Sequence, residues 1–161
     1  MKCCFTGHRP KNLPWGYNES GLKYNLLYAK LYLAIRKCMK KGCTYFLSGM
    51  AMGIDMICAE IVINMKNKYK NVELECVLPC LSQSAKWSKP YKDRYNKILQ
   101  RADKITIISE NYTPQCMMDR NKYMVDNSNM IIAVYNGSQG GTKKTIRYAK
   151  AKNLEILLLK I

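Results

Sequence analysis

Chemically distinctive residues in this sequence fall in a few short, glycine-containing segments. Three of them are Thr6 to Pro10, Ser48 to Asp55 and Gly137 to Thr142. Each of these segments follows a short apolar run and precedes a longer segment with helical spacing of its apolar residues. Glycines at such points let backbone N–H groups approach a ligand closely, and the start of a following helix adds unpaired donors and a positive dipole end. Phosphates are the ligands that this arrangement favours.

Polar side chains in or near these segments are the candidate binding groups. The guanidinium of Arg9 suits a bidentate phosphate contact. Arg120 and Asn121 are adjacent on a short polar-rich helix and cannot both face the core, so at least one is expected to point at the site or at another loop. The candidate ligand-binding set is Gly7, His8, Arg9, Ser48, Gly49, Asp55, Arg120, Asn121, Asp126, Gly140, Gly141 and Thr142.

Each of these residues also has a purely structural interpretation. Gly140 and Gly141 could form a tight turn with Thr142 as the helix N-cap. Ser48 and Gly49 could likewise be turn residues only. Asp55 would complement the dipole of its own helix. These alternatives stay open at the level of sequence.

Histidine and aromatic residues give weaker signals. His8 is the only histidine and has no identifiable acidic partner, which disfavours a catalytic role. No C-x-x-C pair accompanies it, so no metal site is expected. Trp87 and the tyrosines near it are assigned to packing, with base stacking by Trp87 or Tyr91 as the alternative.

The elements that must position these residues alternate between strands and helices. An α/β fold is predicted, a single Rossmann-like three-layer domain over residues 1–161 with a mostly parallel sheet. Loops that follow parallel strands share the carboxyl edge, where ligands bind at the reversal of strand order. The predicted strands are Cys3 to Thr6, Cys43 to Leu47, Leu74 to Leu78, Lys104 to Ile108, Met130 to Tyr135 and Glu155 to Leu159.

Helices are predicted in the segments between those strands. Apolar spacing places one over Leu22 to Lys41, and another carries Ile54 to Met65. A third is marked by Trp87, Tyr91, Tyr95, Ile98 and Leu99, a short fourth covers Met117 to Asn127, and the last follows Gly140-Gly141-Thr142.

The amino-acid composition indicates a globular protein. The 161 residues are 48% hydrophobic and 24% charged, as in a globular chain. No apolar run is long enough for a membrane span, and Gly7 and Pro10 interrupt the N-terminus too early for a signal peptide. A cytoplasmic protein is therefore expected, with its eight cysteines buried and reduced.

The net charge of +16 favours anionic partners, including nucleic acid, although the lysines form no block of five or more. Neither of the usual phosphate-loop signatures is present. The Gly137 loop lacks P-loop spacing, and no G-x-G-x-x-G follows the first strand.

Four segments together are similar to the YpsA-like family of the SLOG superfamily. They are Gly7-His8-Arg9-Pro10, Ser48 to Asp55, Arg120-Asn121 followed by Met124-Val125-Asp126, and Gly140-Gly141-Thr142. The resemblance covers nearly the whole chain. It implies a Rossmann-like fold and a site for a nucleotide or nucleotide-derived ligand.

Two other branches of the superfamily imply different activities. LOG-type phosphoribohydrolases carry a P-G-G-x-G-T-x-x-E loop, but here Gly140-Gly141-Thr142 is followed by no glutamate. Asp55, Glu60 and Asp126 are the candidate substitutes for that catalytic carboxylate. DprA-like proteins, which bind single-stranded DNA, carry a loop and an Arg-Asn pair similar to Ser48 to Asp55 and Arg120-Asn121. Met52 stands where that family often has a basic residue.

The leading hypothesis is therefore a module that binds a nucleotide-type small molecule, such as an NAD- or ADP-ribose-derived compound, with sensing of that ligand as an additional role. N-glycosidic hydrolysis and single-stranded DNA binding are the alternatives. No cofactor is evident beyond such a ligand, no membrane partner is expected, and homo-oligomerisation is an expectation from the resemblance alone.

Overall fold

Six strands form one sheet in which every neighbouring pair is parallel. The computed structural model describes residues 1–161. The strand order is β4-β3-β2-β1-β5-β6, which confirms the predicted Rossmann-like α/β class. The strands are β1 (Lys2–Thr6), β2 (Tyr45–Ser48), β3 (Glu73–Cys80), β4 (Lys104–Ser109), β5 (Met130–Tyr135) and β6 (Glu155–Lys160).

Five α-helices cover the two faces of this sheet. They are α1 (Gly21–Lys40), α2 (Ile54–Lys66), α3 (Lys89–Arg101), α4 (Cys116–Asp126) and α5 (Gly141–Ala151). The larger hydrophobic core lies under α1, α2 and α3. A smaller core lies under α4 and α5 on the opposite face. The three layers follow from helices that each bury one apolar stripe against the sheet.

Alternation along the strands divides adjacent residues between the two cores. Cys3 belongs to the larger core and Cys4 to the smaller one, as their adjacency in β1 predicts. All eight cysteines are buried as free thiols. Strand β5 is buried along Met130 to Val134, as expected for an interior strand.

The strand order reverses beside β1. From β1 the sheet grows through β2 and β3 to β4, and the chain then crosses to the other side of β1 to form β5. Register aligns Thr6 with Ala133. The loops after β1 and β5 therefore diverge to opposite faces and leave a crevice between them.

Local differences from the predicted elements involve the loops. The chain forms a short 3-10 helix at Pro10–Asn12, which the sequence pattern did not predict. Trp87 lies before α3 rather than within it, because turns occupy residues 81–86 and Ser88 is the helix N-cap. Strand β2 begins at Tyr45, two residues later than predicted. No helix is long and apolar enough to span a membrane.

Candidate functional site

A cavity of about 290 Å³ opens at the carboxyl ends of β1 and β5, where the strand order reverses. We call it the site cavity. Nine of the twelve candidate binding residues line it: Gly7, His8, Arg9, Asp55, Arg120, Asn121, Gly140, Gly141 and Thr142. Sequence segments far apart in the chain thus contribute to one concave surface.

The amino end of α5 forms one wall of the site cavity. Gly140 is the N-cap, and no side chain caps the helix, so Thr142 lies within the first turn and is not the cap. The first backbone N–H groups of a helix have no intrahelical acceptor. Gly140 and Gly141 have no side chains to cover them. This wall therefore presents hydrogen-bond donors and the positive end of a helix dipole.

The charged side chains around the cavity are mainly basic. Arg9, Lys11 and Arg120 line it, whereas Asp55 is the one carboxylate that does. Arg9 and Lys11 are exposed, and no carboxylate lies within ion-pairing distance of either. An anion in the cavity would meet two cations that have no internal partner.

Arg120 and Asp55 form the buried floor of the cavity. Arg120 Nη1 lies 3.8 Å from Asp55 Oδ2, and both residues are more than nine-tenths buried. Arg120 also donates to the carbonyl oxygen of Gly49. Burial raises the pKa of the Asp55 carboxyl, opposed by Arg120 and by the N–H of Ala51, and burial lowers the pKa of Arg120.

Two candidates, Ser48 and Gly49, lie behind this floor and do not line the cavity. The Ser48 hydroxyl donates to the carbonyl oxygen of Asp55 at 2.8 Å and accepts from the N–H of Met50 at 3.3 Å. Met50 is buried with φ at 58°, an uncommon conformation for a residue with a side chain. Both candidates therefore hold a constrained turn that places Asp55 at the cavity.

A chain of hydrogen bonds joins Arg120 to the first turn of α5. Arg120 Nε donates to Asn121 Oδ1 at 2.7 Å, and Asn121 Nδ2 donates to Thr145 Oγ1 at 3.0 Å. The Thr145 hydroxyl then donates to the carbonyl oxygen of Gly141 at 2.9 Å. The Arg-Asn pair thus fixes the helix end that supplies the backbone donors.

His8 is a buried cavity residue with one ring nitrogen engaged. Its Nε2 accepts the N–H of Asn136 at 3.1 Å, and its ring stacks on Tyr135 with centroids 5.8 Å apart. Burial lowers the pKa of the imidazole. The neutral form with the proton on Nδ1 fits this geometry.

Asp126 and Glu60 lie away from the cavity. Asp126 is at the far end of α4, where it accepts from the Tyr148 hydroxyl and pairs with Lys152 at 3.1 Å. Glu60 pairs with Arg94 of α3 at 2.7 Å. Of the three carboxylates considered for catalysis, only Asp55 is in the cavity.

Some residues that line the site cavity were not among the candidate binding residues named from the sequence. Lys11 and Asn12 enter through the 3-10 helix, and Ser138 and Gln139 belong to the loop already identified by its glycines. The further lining residues are Phe5, Thr6, Lys11, Asn12, Ala51, Met117, Ser138 and Gln139. Lys11 is a basic residue directly after the Thr6 to Pro10 segment, and this position is the one signal by which sequence reasoning could have added it to the candidate set. No group of three or more His, Cys, Asp or Glu side chains is placed to hold a metal ion.

Comparisons with known proteins agree with this architecture. The family model for YpsA, described as the YspA SLOG family, matches residues 3–158. The SPbeta prophage-derived protein YoqJ of Bacillus subtilis (strain 168) is 32% identical over 134 residues, which cover 75% of this chain and 78% of YoqJ. A UPF0398 protein of Lysinibacillus sphaericus is 23% identical over 152 residues, covering 93% of this chain and 84% of the relative.

A solved structure shares the fold. DNA processing protein A from Helicobacter pylori, described for its single-stranded DNA binding mode, superimposes with a TM-score of 0.65 at 16% identity. The match covers 98% of this chain and 64% of that one.

Proposed function

We propose that this chain, which belongs to the YspA SLOG family, binds a nucleotide or nucleotide-derived phosphate ligand in the site cavity. The observation that carries the proposal is that the first turn of α5, which no side chain caps, lines the same cavity as the unpaired cations Arg9 and Lys11. Backbone donors and a helix dipole, together with guanidinium and ammonium groups in the same cavity, complement a phosphate. The site also lies at the strand-order reversal, the usual position for a ligand in such sheets.

The remaining cavity wall suits the sugar or other polar parts of such a ligand. Ser138, Gln139 and Asn12 offer hydroxyl and amide groups, and His8 offers a neutral ring donor. Asp55 supplies the one carboxylate acceptor. A nucleoside phosphate, or an ADP-ribose-type compound with two phosphates, has the mixture of anionic and hydroxyl groups that this lining would bind.

Native mass spectrometry of freshly purified protein is the first test of the ligand class. We expect a co-purifying phosphate compound that denaturing extraction releases and identifies. Calorimetry with AMP and ADP-ribose then measures affinity directly. Gly141→Trp is the informative variant, because an added Cβ at Gly141 would meet no protein atom within 4 Å and would point into open space at the cavity wall.

We expect Gly141→Trp to lower the affinity by tenfold or more, since it covers the donors of α5. Ala151→Trp, at the exposed opposite end of the same helix, is the matched control and should bind as the wild type does. Equal affinities of Gly141→Trp and wild type for every phosphate compound that binds would show that the site is elsewhere.

Single-stranded DNA is the second candidate ligand. The net charge of +16 and the fold shared with DNA processing protein A favour it. Binding dominated by phosphates must weaken steeply with salt, with a log–log slope of about −0.7 per neutralised phosphate. A gel-shift titration in increasing salt tests this, and no retardation at low salt would remove the candidate.

N-glycosidic hydrolysis would depend on Asp55, the only candidate carboxylate that lines the cavity. Its raised pKa and burial are features of carboxyl groups that exchange protons with substrates. Chromatography of nucleoside monophosphates after incubation with the protein measures release of free base. If no base is released, or if Asp55→Asn releases it as fast as wild type, Asp55 catalyses no such reaction.

A further inference from the structure

A second, smaller depression adjoins the site cavity. Its volume is about 50 Å³, and we call it the side cavity. Arg9, Ala51 and Met117 line both depressions, so the two lie side by side. The residues found only in the side cavity are Met52, Gln83 and Trp87.

The lining of the side cavity differs chemically from that of the site cavity. Four of its six lining residues are apolar, namely Ala51, Met52, Trp87 and Met117. Arg9 is its only charged residue, and it contains no carboxylate. All four apolar residues are only partly buried. Methionine thioethers adapt to aromatic rings, and an indole face stacks on planar groups.

The indole of Trp87 is held in place by a series of specific contacts. It packs edge-to-face on the buried ring of Tyr95, with centroids 5.3 Å apart. The Tyr95 hydroxyl donates to Gln83 Oε1 at 3.0 Å, and Gln83 Nε2 donates to the carbonyl oxygen of Gly49 at 3.1 Å. A partly exposed aromatic residue with this support is a preformed surface, which reduces the entropy lost on binding.

From this geometry we infer that the side cavity binds the planar ring of the ligand whose phosphate lies at α5. The inference deepens the proposed function and rests on it. The ring lies against Trp87, Met52 and Met117, while Arg9 stands between ring and phosphate. Because the volume of the side cavity is only about 50 Å³, it holds part of the ring, and the rest of the ring extends towards the site cavity. The ligand class is therefore a phosphate compound with an aromatic base, and a sugar phosphate alone would leave this surface empty.

The test compares ligands with and without a base. AMP, GMP, CMP, UMP and ribose 5-phosphate are titrated by calorimetry into wild type, Trp87→Leu and Trp87→Phe. Leucine keeps an apolar side chain but removes the ring, and phenylalanine keeps a ring. We expect at least one nucleotide to bind wild type about tenfold more tightly than ribose 5-phosphate does, the usual magnitude of one base–aromatic stack.

In Trp87→Leu the affinity for that nucleotide should fall to within about twofold of the affinity for ribose 5-phosphate. In Trp87→Phe most of the wild-type difference between the two affinities should be kept. Affinity for ribose 5-phosphate should be unchanged in both variants, which a general loss of structure would not allow. If Trp87→Leu does not fold, Met117→Ala in α4 provides a second test. It should weaken the binding of the nucleotide and leave the affinity for ribose 5-phosphate unchanged.

Fluorescence adds an independent readout, because Trp15 and Trp87 are the only tryptophans. In a Trp15→Phe background the nucleotide should quench Trp87 and ribose 5-phosphate should not. If nucleotides bind with no advantage over ribose 5-phosphate, or if Trp87→Leu leaves that advantage intact, the ring subsite is wrong while the proposed function stands. If no nucleotide binds, and neither ADP-ribose nor ribose 5-phosphate binds, the proposed function fails and the subsite fails with it.

Discussion

Arg120 and Gln83 donate hydrogen bonds to the same acceptor, the carbonyl oxygen of Gly49. Arg120 comes from α4, and Gln83 comes from the turns after β3. One carbonyl group in the loop after β2 thus joins that loop to helix α4 and to the turns after β3. The relationship makes the backbone at Gly49 a structural centre of the site, although Gly49 itself does not line either cavity.

Substitution of Gly49 by alanine should disturb this centre. An added Cβ would lie 2.7 Å from Arg120 Cζ and 2.8 Å from Asp55 Oδ2, in a region where both partners are buried. We expect Gly49→Ala to lower the free energy of unfolding by about 1–3 kcal/mol, the usual cost of overpacking. Urea unfolding followed by circular dichroism measures it.

Gly141→Ala is the matched control for that substitution. No atom lies within 4 Å of a Cβ at this position, which begins α5. Its stability should stay within about 1 kcal/mol of wild type, with alanine favoured over glycine in a helix. Equal losses in the two variants would show that the space around Gly49 is not critical.

Asn121 should influence phosphate binding through the orientation of α5. Its amide connects Arg120 to Thr145, whose hydroxyl holds the carbonyl of Gly141. Asn121→Ala breaks that chain, and we expect a loss of about tenfold in affinity for AMP, equivalent to one hydrogen bond of about 1.4 kcal/mol. Calorimetry measures the change.

Asn127→Ala supplies the control, because Asn127 is the exposed C-cap at the opposite end of α4. It should bind AMP as wild type does. If Asn127→Ala and Asn121→Ala weaken binding equally, the effect belongs to α4 as a whole and the connection to α5 is irrelevant.

Sequence patterns predicted the fold and the location of the cavity because both depend on local signals. Alternating apolar periods defined the strands and helices, and the glycine-containing segments marked the loops after β1, β2 and β5. Parallel strands bring such loops to one edge whatever the details of packing. For this reason the sequence could place Arg9, Asp55 and Gly141 at one edge of the sheet, where they line one cavity.

The tertiary ion-pair and hydrogen-bond partners of individual side chains could not be predicted from the sequence in the same way. Glu60 lies five residues after Asp55 in α2, but its carboxylate forms an ion pair with Arg94 of α3 and does not reach the site cavity. Asp126 lies at the end of α4 opposite the site, where Lys152 pairs with it. Gln83 belongs to no motif, and only tertiary packing places it under Gly49.

Glu75 should make stability depend on pH in the acid range. This buried carboxylate accepts hydrogen bonds from Thr106 at 2.6 Å, Tyr45 at 2.7 Å and Tyr123 at 3.1 Å. Burial alone would raise its pKa, but these donors and Lys104 lower the pKa below its ordinary value. The unfolded state then binds the proton more readily, so this stabilisation is present above the unfolded pKa and is lost as pH falls through the folded pKa.

Glu75→Gln should therefore be less stable than wild type at pH 7, by about 1–3 kcal/mol, and should lose less stability between pH 7 and pH 3. Urea midpoints at several pH values measure both effects. Glu73→Gln, an exposed position on the same strand, should follow the wild-type curve. Parallel curves for wild type and Glu75→Gln would contradict the assigned role.

His8 can be observed directly, because it is the only histidine in the chain. Burial lowers its pKa below the ordinary value of 6.5, and Nε2 accepts the Asn136 N–H. The unfolded chain takes up the proton first as pH falls, so stability should decrease as pH drops below 6.5 towards the folded pKa. Long-range ¹H–¹⁵N spectra should show the Nδ1–H tautomer and a midpoint below 6.5.

A bound phosphate beside His8 should raise that midpoint, since a nearby negative charge favours the imidazolium. Repeating the titration with saturating AMP tests this, and Gly141→Trp with AMP should keep the midpoint of the free protein. An Nε2–H tautomer, or a midpoint at or above 6.5 without ligand, would contradict the geometry of His8. An unchanged midpoint with bound AMP would place the phosphate away from this ring.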